Sequence, residues 1–143
     1  KDKRLSIDVT SAEKFLVRKT PEKYDSIFID LFTGSGMAPV LQCENFFNNC
    51  KNKLCSPGFL SVNLWGGRRT SQLENIKNSM LKTFGEQVYF LPVPQRGNII
   101  AISLNFPYKV LGKAIQHQCA KELETKYQIE FVEFLNTLVR RDL

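Results

Sequence analysis

Residues Tyr24–Pro39 read Tyr-Asp-Ser-Ile-Phe-Ile-Asp-Leu-Phe-Thr-Gly-Ser-Gly-Met-Ala-Pro, and this stretch decides the fold. Ser26 to Phe32 is almost entirely apolar and β-prone, which predicts a strand covered on both faces, as in a parallel sheet. Ligands of open α/β sheets bind just beyond the carboxyl ends of such strands. We therefore look for function first at Asp30 and in the loop from Thr33 to Pro39.

The residues that follow predict a helix and a second buried strand. Apolar side chains recur at spacings of three and four, which is one helix face, at Val40, Cys43, Phe47, Cys50 and Leu54. Ser56-Pro57-Gly58 ends this helix, and Phe59–Trp65 is the next strand.

The rest of the chain continues the alternation of strands and helices. Further strands are predicted at Leu5–Val9, Gln87–Leu91 and Asn98–Leu104. Further helices are predicted at Thr10–Lys19, at Ser71–Phe84, and in two pieces after residue 110. The first of these two pieces carries an apolar face made by Leu111, Ile115, Cys119 and Leu123. Such alternation predicts a mainly parallel sheet between helices, and the short turn at 92–97 makes the last two strands antiparallel.

Composition and charge are those of an ordinary globular domain. The 143 residues are 43% apolar, which allows one domain over residues 1–143 with a sizeable core. No apolar run is long enough to cross a bilayer, and the start is not a signal peptide. We therefore expect a cytoplasmic protein. The net charge of +6 is spread along the chain in ones and twos, which favours a solvated basic surface over a nucleic-acid site.

Cysteine and histidine usage does not indicate a metal site. Four cysteines lack C-x-x-C spacing, and His117 is the only histidine. A zinc site needs about four ligands at tight spacings. We expect no metal, and buried free thiols in a reducing compartment.

These elements together resemble the class I methyltransferase fold and, within it, the spermidine synthase-like family of polyamine aminopropyltransferases. The motifs that carry the resemblance are Tyr24-Asp25, Asp30-Leu-Phe-Thr33, Gly34-Ser-Gly36, Ala38-Pro39, Ser56-Pro-Gly58, Asn63-Leu-Trp65 and Arg96-Gly-Asn98. The resemblance implies a Rossmann-like three-layer sandwich with a mostly parallel sheet and a carboxyl-terminal antiparallel strand pair. It also implies a fold that is incomplete at its amino-terminal side, because the family's glycine-rich first turn has no counterpart here.

The resemblance implies aminopropyl transfer from decarboxylated S-adenosylmethionine to a polyamine. Asp30 corresponds to the first carboxylate of the family's D-x-x-D motif, whereas Thr33 stands in place of the second, catalytic one. Activity is therefore expected to be impaired. The implied substrate-binding positions are Ser11, Ala12, Gly34, Gly36, Met37 and Ala38. Ser11 replaces an aspartate that contacts adenine.

The residues also allow less specific interpretations, which stay open at this point. Asp30 is either a ligand-facing carboxylate or a loop cap. Ser11 is alternatively a helix cap, Thr33 a loop residue with a local hydroxyl bond, and Gly34 and Gly36 suppliers of unusual backbone angles. The whole chain is alternatively a non-catalytic binding or assembly module, an S-adenosylmethionine-dependent methyltransferase-like protein, or, less favoured, a basic nucleic-acid-binding domain.

The missing amino-terminal region leaves a strand without its neighbour. In the implied fold Ser26–Phe32 pairs on one side with a strand that this chain lacks. An apolar strand with a free edge is a template for another chain. We therefore expect a homo-oligomer or a missing amino-terminal half, capture of Leu5–Val9 as a substitute neighbour, or aggregation.

Overall fold

The computed structural model of the protein describes residues 3–67 and 71–140. The helices are α1 (Ala12–Leu16), α2 (Glu44–Lys53), α3 (Ser71–Phe84), α4 (Lys113–Tyr127) and α5 (Phe131–Thr137), and two 3-10 turns span Pro39–Gln42 and Gly85–Gln87. The strands are β1 (Tyr24–Ile29), β2 (Phe32–Thr33), β3 (Gly36–Met37), β4 (Leu54–Trp65), β5 (Val88–Pro92) and β6 (Asn98–Leu104). No helix in the described ranges is long and apolar enough to cross a membrane.

Four strands form one mixed sheet in the order β1-β4-β6-β5. The pair β1–β4 is parallel, whereas β4–β6 and β5–β6 are antiparallel. The α/β class and the antiparallel pair β5–β6 agree with the sequence-based expectation. The share of parallel pairing is smaller than expected, since one of these three strand pairs is parallel.

The core lies on one face of this sheet. Alternate residues of β4, Leu60, Val62 and Leu64, are fully buried. They share a cluster with residues of α2 and α3, including Phe47 and Met80. The helices α1, α2 and α3 pack against one another in succession, so the helix stripes predicted from the sequence form this layer. Residues of the other sheet face, such as Ser61 and Asn63, are half-buried.

The predicted strand Leu5–Val9 is wrong. The segment forms no strand, and Leu5, Ile7 and Val9 are 62%, 75% and 99% exposed. A strand needs a partner strand to form, and no described residue forms strand pairing with this segment. Capture of Leu5–Val9 by β1 is therefore also wrong, and β1 stands at one end of the sheet.

The predicted apolar face of the penultimate helix is not buried, and its first residue, Leu111, lies before α4, which begins at Lys113. Leu111, Ile115 and Leu123 are 44%, 55% and 40% exposed, and Cys119 is exposed as well. Among the residues of α4, Ala120 is the buried one. Helical spacing identifies an apolar face, but it does not determine whether another element covers that face.

A lysine anchors the chain that precedes β1. Lys53, at the end of α2, is buried. Its ammonium donates to the carbonyl oxygens of Arg18 and Thr20 at 3.0 and 3.1 Å and to Thr20 Oγ1 at 2.8 Å. All three donors of the ammonium are used, so the end of α1 is tied to α2.

The cysteines differ from the expected set of buried thiols. Cys50 is buried, whereas Cys43 and Cys119 are exposed and Cys55 is half-buried. Cys43 stands outside α2 as its N-cap residue, because the predicted helix 40–54 is divided there into a 3-10 turn and α2. Burial raises the pKa of the Cys50 thiol to about 12.

This pKa predicts a loss of stability at high pH. The unfolded thiol ionises near its ordinary pKa of about 8.5, while the folded thiol stays protonated up to about pH 12. The unfolded state therefore binds fewer protons between these values, and Cys50 lowers the free energy of unfolding by up to about 1.4 kcal/mol per pH unit there. Urea unfolding at pH 8–10 should show a steeper decline for the wild type than for Cys50→Ala. Cys119→Ala, which removes an exposed thiol, should keep the wild-type decline, and equal slopes for all three proteins would contradict the assignment.

Candidate functional site

Strand β1 ends at Ile29 and not at Phe32 as predicted, and Asp30 lies immediately beyond its carboxyl end. The parallel register pairs Ile29 with Val62, which brings Asp30 beside Asn63, the next residue of β4. Asn63 Nδ2 donates to Asp30 Oδ1 at 3.0 Å. Asn98, at the start of β6, donates through Nδ2 to Asn63 Oδ1 at 2.9 Å. The two amides thus form a chain of hydrogen bonds that fixes an exposed carboxylate.

This hydrogen-bonded chain borders a groove of about 580 Å³ on the half-buried sheet face. The groove is lined by Phe28, Ile29, Asp30, Ser61, Asn63, Val93, Arg96, Asn98 and Ile100. It therefore carries one carboxylate, from Asp30, and one guanidinium, from Arg96. Such a set can hold an amine through the carboxylate, with hydroxyl and amide groups to orient it.

A second groove of about 890 Å³ runs along β1 and also reaches Asp30. Its lining includes Tyr24 and residues 26–31 on one side and Ser6, Asp8, Thr10 and Ala12 on the other. We call this groove the slot. Asp30 therefore stands where the slot and the 580 Å³ groove meet.

Thr33 is held within its own hairpin. Strands β2 and β3 pair Thr33 with Gly36. The Thr33 hydroxyl lies 3.0 Å from Ser35 Oγ, donates to the Gly36 carbonyl oxygen at 3.2 Å and accepts from the Ser35 N–H at 3.3 Å. These are local turn contacts, and Thr33 lines neither groove.

The loop residues beyond Thr33 serve mainly to build the turn and the core. Gly36 has a φ of +127°, which side chains rarely adopt, while Gly34 has no such angle. Met37 is 4% exposed, and its sulfur accepts from the Trp65 N–H at 3.2 Å. The Ala38 N–H donates to the Leu31 carbonyl oxygen at 3.0 Å. Neither groove is lined by any of these four residues.

Ser11 caps helix α1. Its side chain accepts from the Lys14 N–H at 3.4 Å. Ala12 follows as the first residue of α1. Of the predicted site residues, Asp30 and Ala12 line the same groove, and the remaining six are outside both grooves. The described residues contain no cluster of His, Cys, Asp and Glu able to hold a metal ion.

Known polyamine aminopropyltransferases are similar in sequence to most of this chain. The chain is 30% identical over 114 residues to the polyamine aminopropyltransferase of Chromobacterium violaceum, covering 80% of this chain and 43% of that protein. It is 28% identical over 111 residues to the polyamine aminopropyltransferase of Neisseria meningitidis serogroup A, covering 78% of this chain and 41% of that protein. No protein-family model matches.

A solved structure agrees with these sequence relatives. The crystal structure of a probable spermidine synthase from Corynebacterium glutamicum superposes with a TM-score of 0.64 and 25% identity. The superposition covers 85% of this chain and 45% of that one. The chain resembles the carboxyl-terminal portion of a polyamine aminopropyltransferase. It thus spans less than half the length of these relatives.

The aminopropyltransferase resemblance pointed to Asp30 but did not identify Asn63, Asn98 and Arg96 as its neighbours. A signal for Asn63 is present in the sequence, because Leu60, Val62 and Leu64 point to one face and leave Asn63 on the other. No comparable signal gives the pairing of β4 with β6, on which the contact with Asn98 depends.

The bond between Asp30 and Asn63 should appear as a coupling free energy. In a double-mutant cycle of Asp30→Ala and Asn63→Ala, we expect the two changes to be non-additive by about 0.5–1 kcal/mol in urea unfolding. Asp25 offers a matched control because it is an exposed carboxylate in β1, the strand that precedes Asp30. Asp25→Ala combined with Asn63→Ala should be additive, and equal coupling in the two cycles would argue against the bond.

Proposed function

We propose that this chain is the amine-binding, carboxyl-terminal part of an aminopropyltransferase that uses decarboxylated S-adenosylmethionine and a polyamine. The observation that carries the proposal is the position of the Asp30 carboxylate beyond a strand end. A hydrogen bond of 3.0 Å from Asn63 fixes it, and Asn98 in turn donates to Asn63 at 2.9 Å. A carboxylate held in one orientation attracts and orients an ammonium group. The similarity to aminopropyltransferases supplies the reaction.

The reaction requires an amine nitrogen with a free lone pair. That nitrogen attacks the methylene carbon next to the sulfonium, the C–S bond breaks, and its electron pair stays on sulfur to leave methylthioadenosine. The ammonium must lose one proton before the attack, and the product nitrogen is then a secondary ammonium. Asp30 is the groove residue that holds the amine, and Arg96 adds a positive charge that opposes binding of a second ammonium nearby.

Thr33 limits the rate in this proposal. A threonine hydroxyl is not a base near neutral pH, so it cannot take the proton that an aspartate would take. The hydrogen bonds of the Thr33 hydroxyl with Ser35 and Gly36 support the same view, since they hold the hydroxyl within the hairpin. The same hydrogen bonds support the alternative, a non-catalytic assembly module.

A chimera tests the proposed chemistry. The amino-terminal part of the Chromobacterium violaceum enzyme that this chain does not match is fused before residue 1, and methylthioadenosine release is measured. We expect slow turnover, a rise of about 10²–10⁴-fold for Thr33→Asp, and a similarly large fall for Asp30→Asn. Asp25→Asn, which changes a carboxylate outside both grooves, should leave the rate unchanged.

Two results would separate the alternatives. A folded chimera in which neither the parent nor Thr33→Asp releases methylthioadenosine would favour the non-catalytic module. Equal rates for Asp30→Asn and Asp25→Asn would show that Asp30 does not hold the amine.

We further propose that the slot receives a polypeptide corresponding to the amino-terminal half of the relatives. The relatives are more than twice as long as the matched region, and the slot lies between an open strand edge, β1, and the extended segment 5–9. The alternating pattern of that segment suits a half-buried strand, yet its apolar side chains are exposed. A polypeptide inserted beside β1 supplies the missing strand pairing.

Complementation tests this proposal without requiring activity. The separately expressed amino-terminal part of the Chromobacterium violaceum enzyme is titrated with residues 1–143 in a calorimeter. Phe28→Lys and Ser6→Lys should weaken binding at least tenfold, because both exposed side chains line the slot. Val17→Lys changes an apolar residue that is 60% exposed and does not line the slot. It should bind as the wild type does, and an equal effect of all three changes would contradict the proposal.

A further inference from the structure

Two opposite charges line the groove of about 580 Å³ without pairing with each other. Among its described lining residues, Asp30 and Arg96 are the charged ones, and both are exposed. The Asp30 carboxylate accepts from Asn63. The Arg96 guanidinium forms an ion pair neither with Asp30 nor with another carboxylate in the described part of the chain. The groove therefore offers one site for a cation and a separate site for an anion.

The turn between β5 and β6 defines the position of Arg96. The Arg96 N–H donates to the Val93 carbonyl oxygen at 3.1 Å, and the Val93 N–H donates to the Asn98 carbonyl oxygen at 2.9 Å. Gln95 has a φ of +58°, a left-handed conformation that is uncommon for residues other than glycine. Pro94 has its φ fixed by its ring. The backbone that carries the guanidinium is thus held by two hydrogen bonds and two restricted residues.

The two charges are spaced to hold the ends of one small molecule. Asp30 follows β1 and Arg96 precedes β6, and β4 lies between these strands. Two strand spacings separate β1 from β6 by about 10 Å, and the two charged side chains occupy part of this width. Val93 and Ile100 add apolar lining. The remaining space suits a short chain of methylenes with a positive end at Asp30 and a negative group at Arg96.

A plain diamine does not match these charges. Its first ammonium pairs with Asp30, but the described lining of the groove provides no carboxylate for its second ammonium. That second ammonium meets the Arg96 guanidinium instead, and like charges repel. A carboxylate attached beside the second ammonium removes this mismatch, because a guanidinium can bind a carboxylate through two parallel hydrogen bonds.

We propose that the acceptor at this site is an α,ω-diamino acid, which is a diamine with a carboxylate on the carbon that bears its far nitrogen. Its ω-nitrogen lies at Asp30 and its carboxylate at Arg96. This inference rests on the proposed function and narrows its acceptor. After losing one proton, the ω-nitrogen attacks the methylene carbon next to the sulfonium. The C–S bond breaks with its electron pair left on sulfur, and the aminopropyl group is joined to the ω-nitrogen.

Matched pairs of amines test this assignment. Ornithine and putrescine differ by one carboxylate, and so do lysine and cadaverine. Their dissociation constants are measured by ligand-observed NMR with the full chain of residues 1–143, which requires no turnover. We expect each diamino acid to bind about three- to tenfold more tightly than its diamine, as for an exposed ion pair with favourable geometry. Raising the salt concentration should reduce this preference.

Variants of Arg96 separate the carboxylate site from the amine site. Arg96→Gln should abolish the preference for the diamino acid, and Arg96→Glu should reverse it in favour of the diamine. Lys109→Gln removes an exposed positive charge that lines neither groove and should retain the preference. Asp30→Asn should weaken binding of both members of each pair. Circular dichroism checks that each variant is folded.

Failure of this inference can be told apart from failure of the proposed function. Equal binding of the two members of each pair, or an unchanged preference in Arg96→Gln, would overturn the diamino acid and leave the amine at Asp30. Faster methylthioadenosine release by the chimera with putrescine than with ornithine would do the same. Equal affinities of the wild type and Asp30→Asn would overturn both proposals, as would the absence of binding of all four compounds to the chain and to the chimera.

Discussion

The position of β4 between β1 and β6 is the constraint on which the rest of the structure depends. Residues 59–62 of β4 pair in parallel with β1, and residues 59–65 pair antiparallel with β6. A shift of one residue in either register would turn the buried side chains Leu60, Val62 and Leu64 to the other face. The same registers place Asn63 beside Asp30 and within reach of Asn98. Packing of the core therefore also fixes the geometry of the candidate site.

Elements with local signals could be predicted from the sequence. The bounds predicted for the helix Ser71–Phe84 and for the strand Asn98–Leu104 are those observed for α3 and β6. Elements that depend on a partner distant in the sequence could not be predicted in this way. Leu5–Val9 has the pattern of a strand, yet no described residue forms strand pairing with it, and its apolar residues remain exposed. The apolar spacing of Ile115, Cys119 and Leu123 lies on α4 as predicted, but that spacing does not show that these side chains stay exposed among the described residues.

The candidate site shows the same division between local and distant information. Asp30 could be predicted because a carboxylate after a buried strand is a local pattern. The link from Asp30 through Asn63 to Asn98 could not be predicted, because it requires the register of β4 against β6. Asn63 and Asn98 are 35 positions apart in the sequence. Ser11 and Thr33 had capping and local hydroxyl bonds as open alternatives, and their contacts in the structure are of these kinds. The resemblance supplied the more specific roles, which remain proposals.

The exposure of Asp30 connects the open edge of β1 to the proposed chemistry. A carboxylate and an ammonium 4 Å apart attract each other by about 1 kcal/mol in bulk water and by about 4 kcal/mol where the effective dielectric constant is near 20. In the single chain Asp30 is exposed where the two grooves meet, so its attraction to an ammonium is close to the bulk-water value. Under the proposed function, a polypeptide in the slot displaces water from one side of the carboxylate, and the attraction then approaches the larger value. Under the proposed function, therefore, completion of the sheet and recognition of the amine are one event, and the hydrogen bonds from Asn63 keep the carboxylate oriented for it.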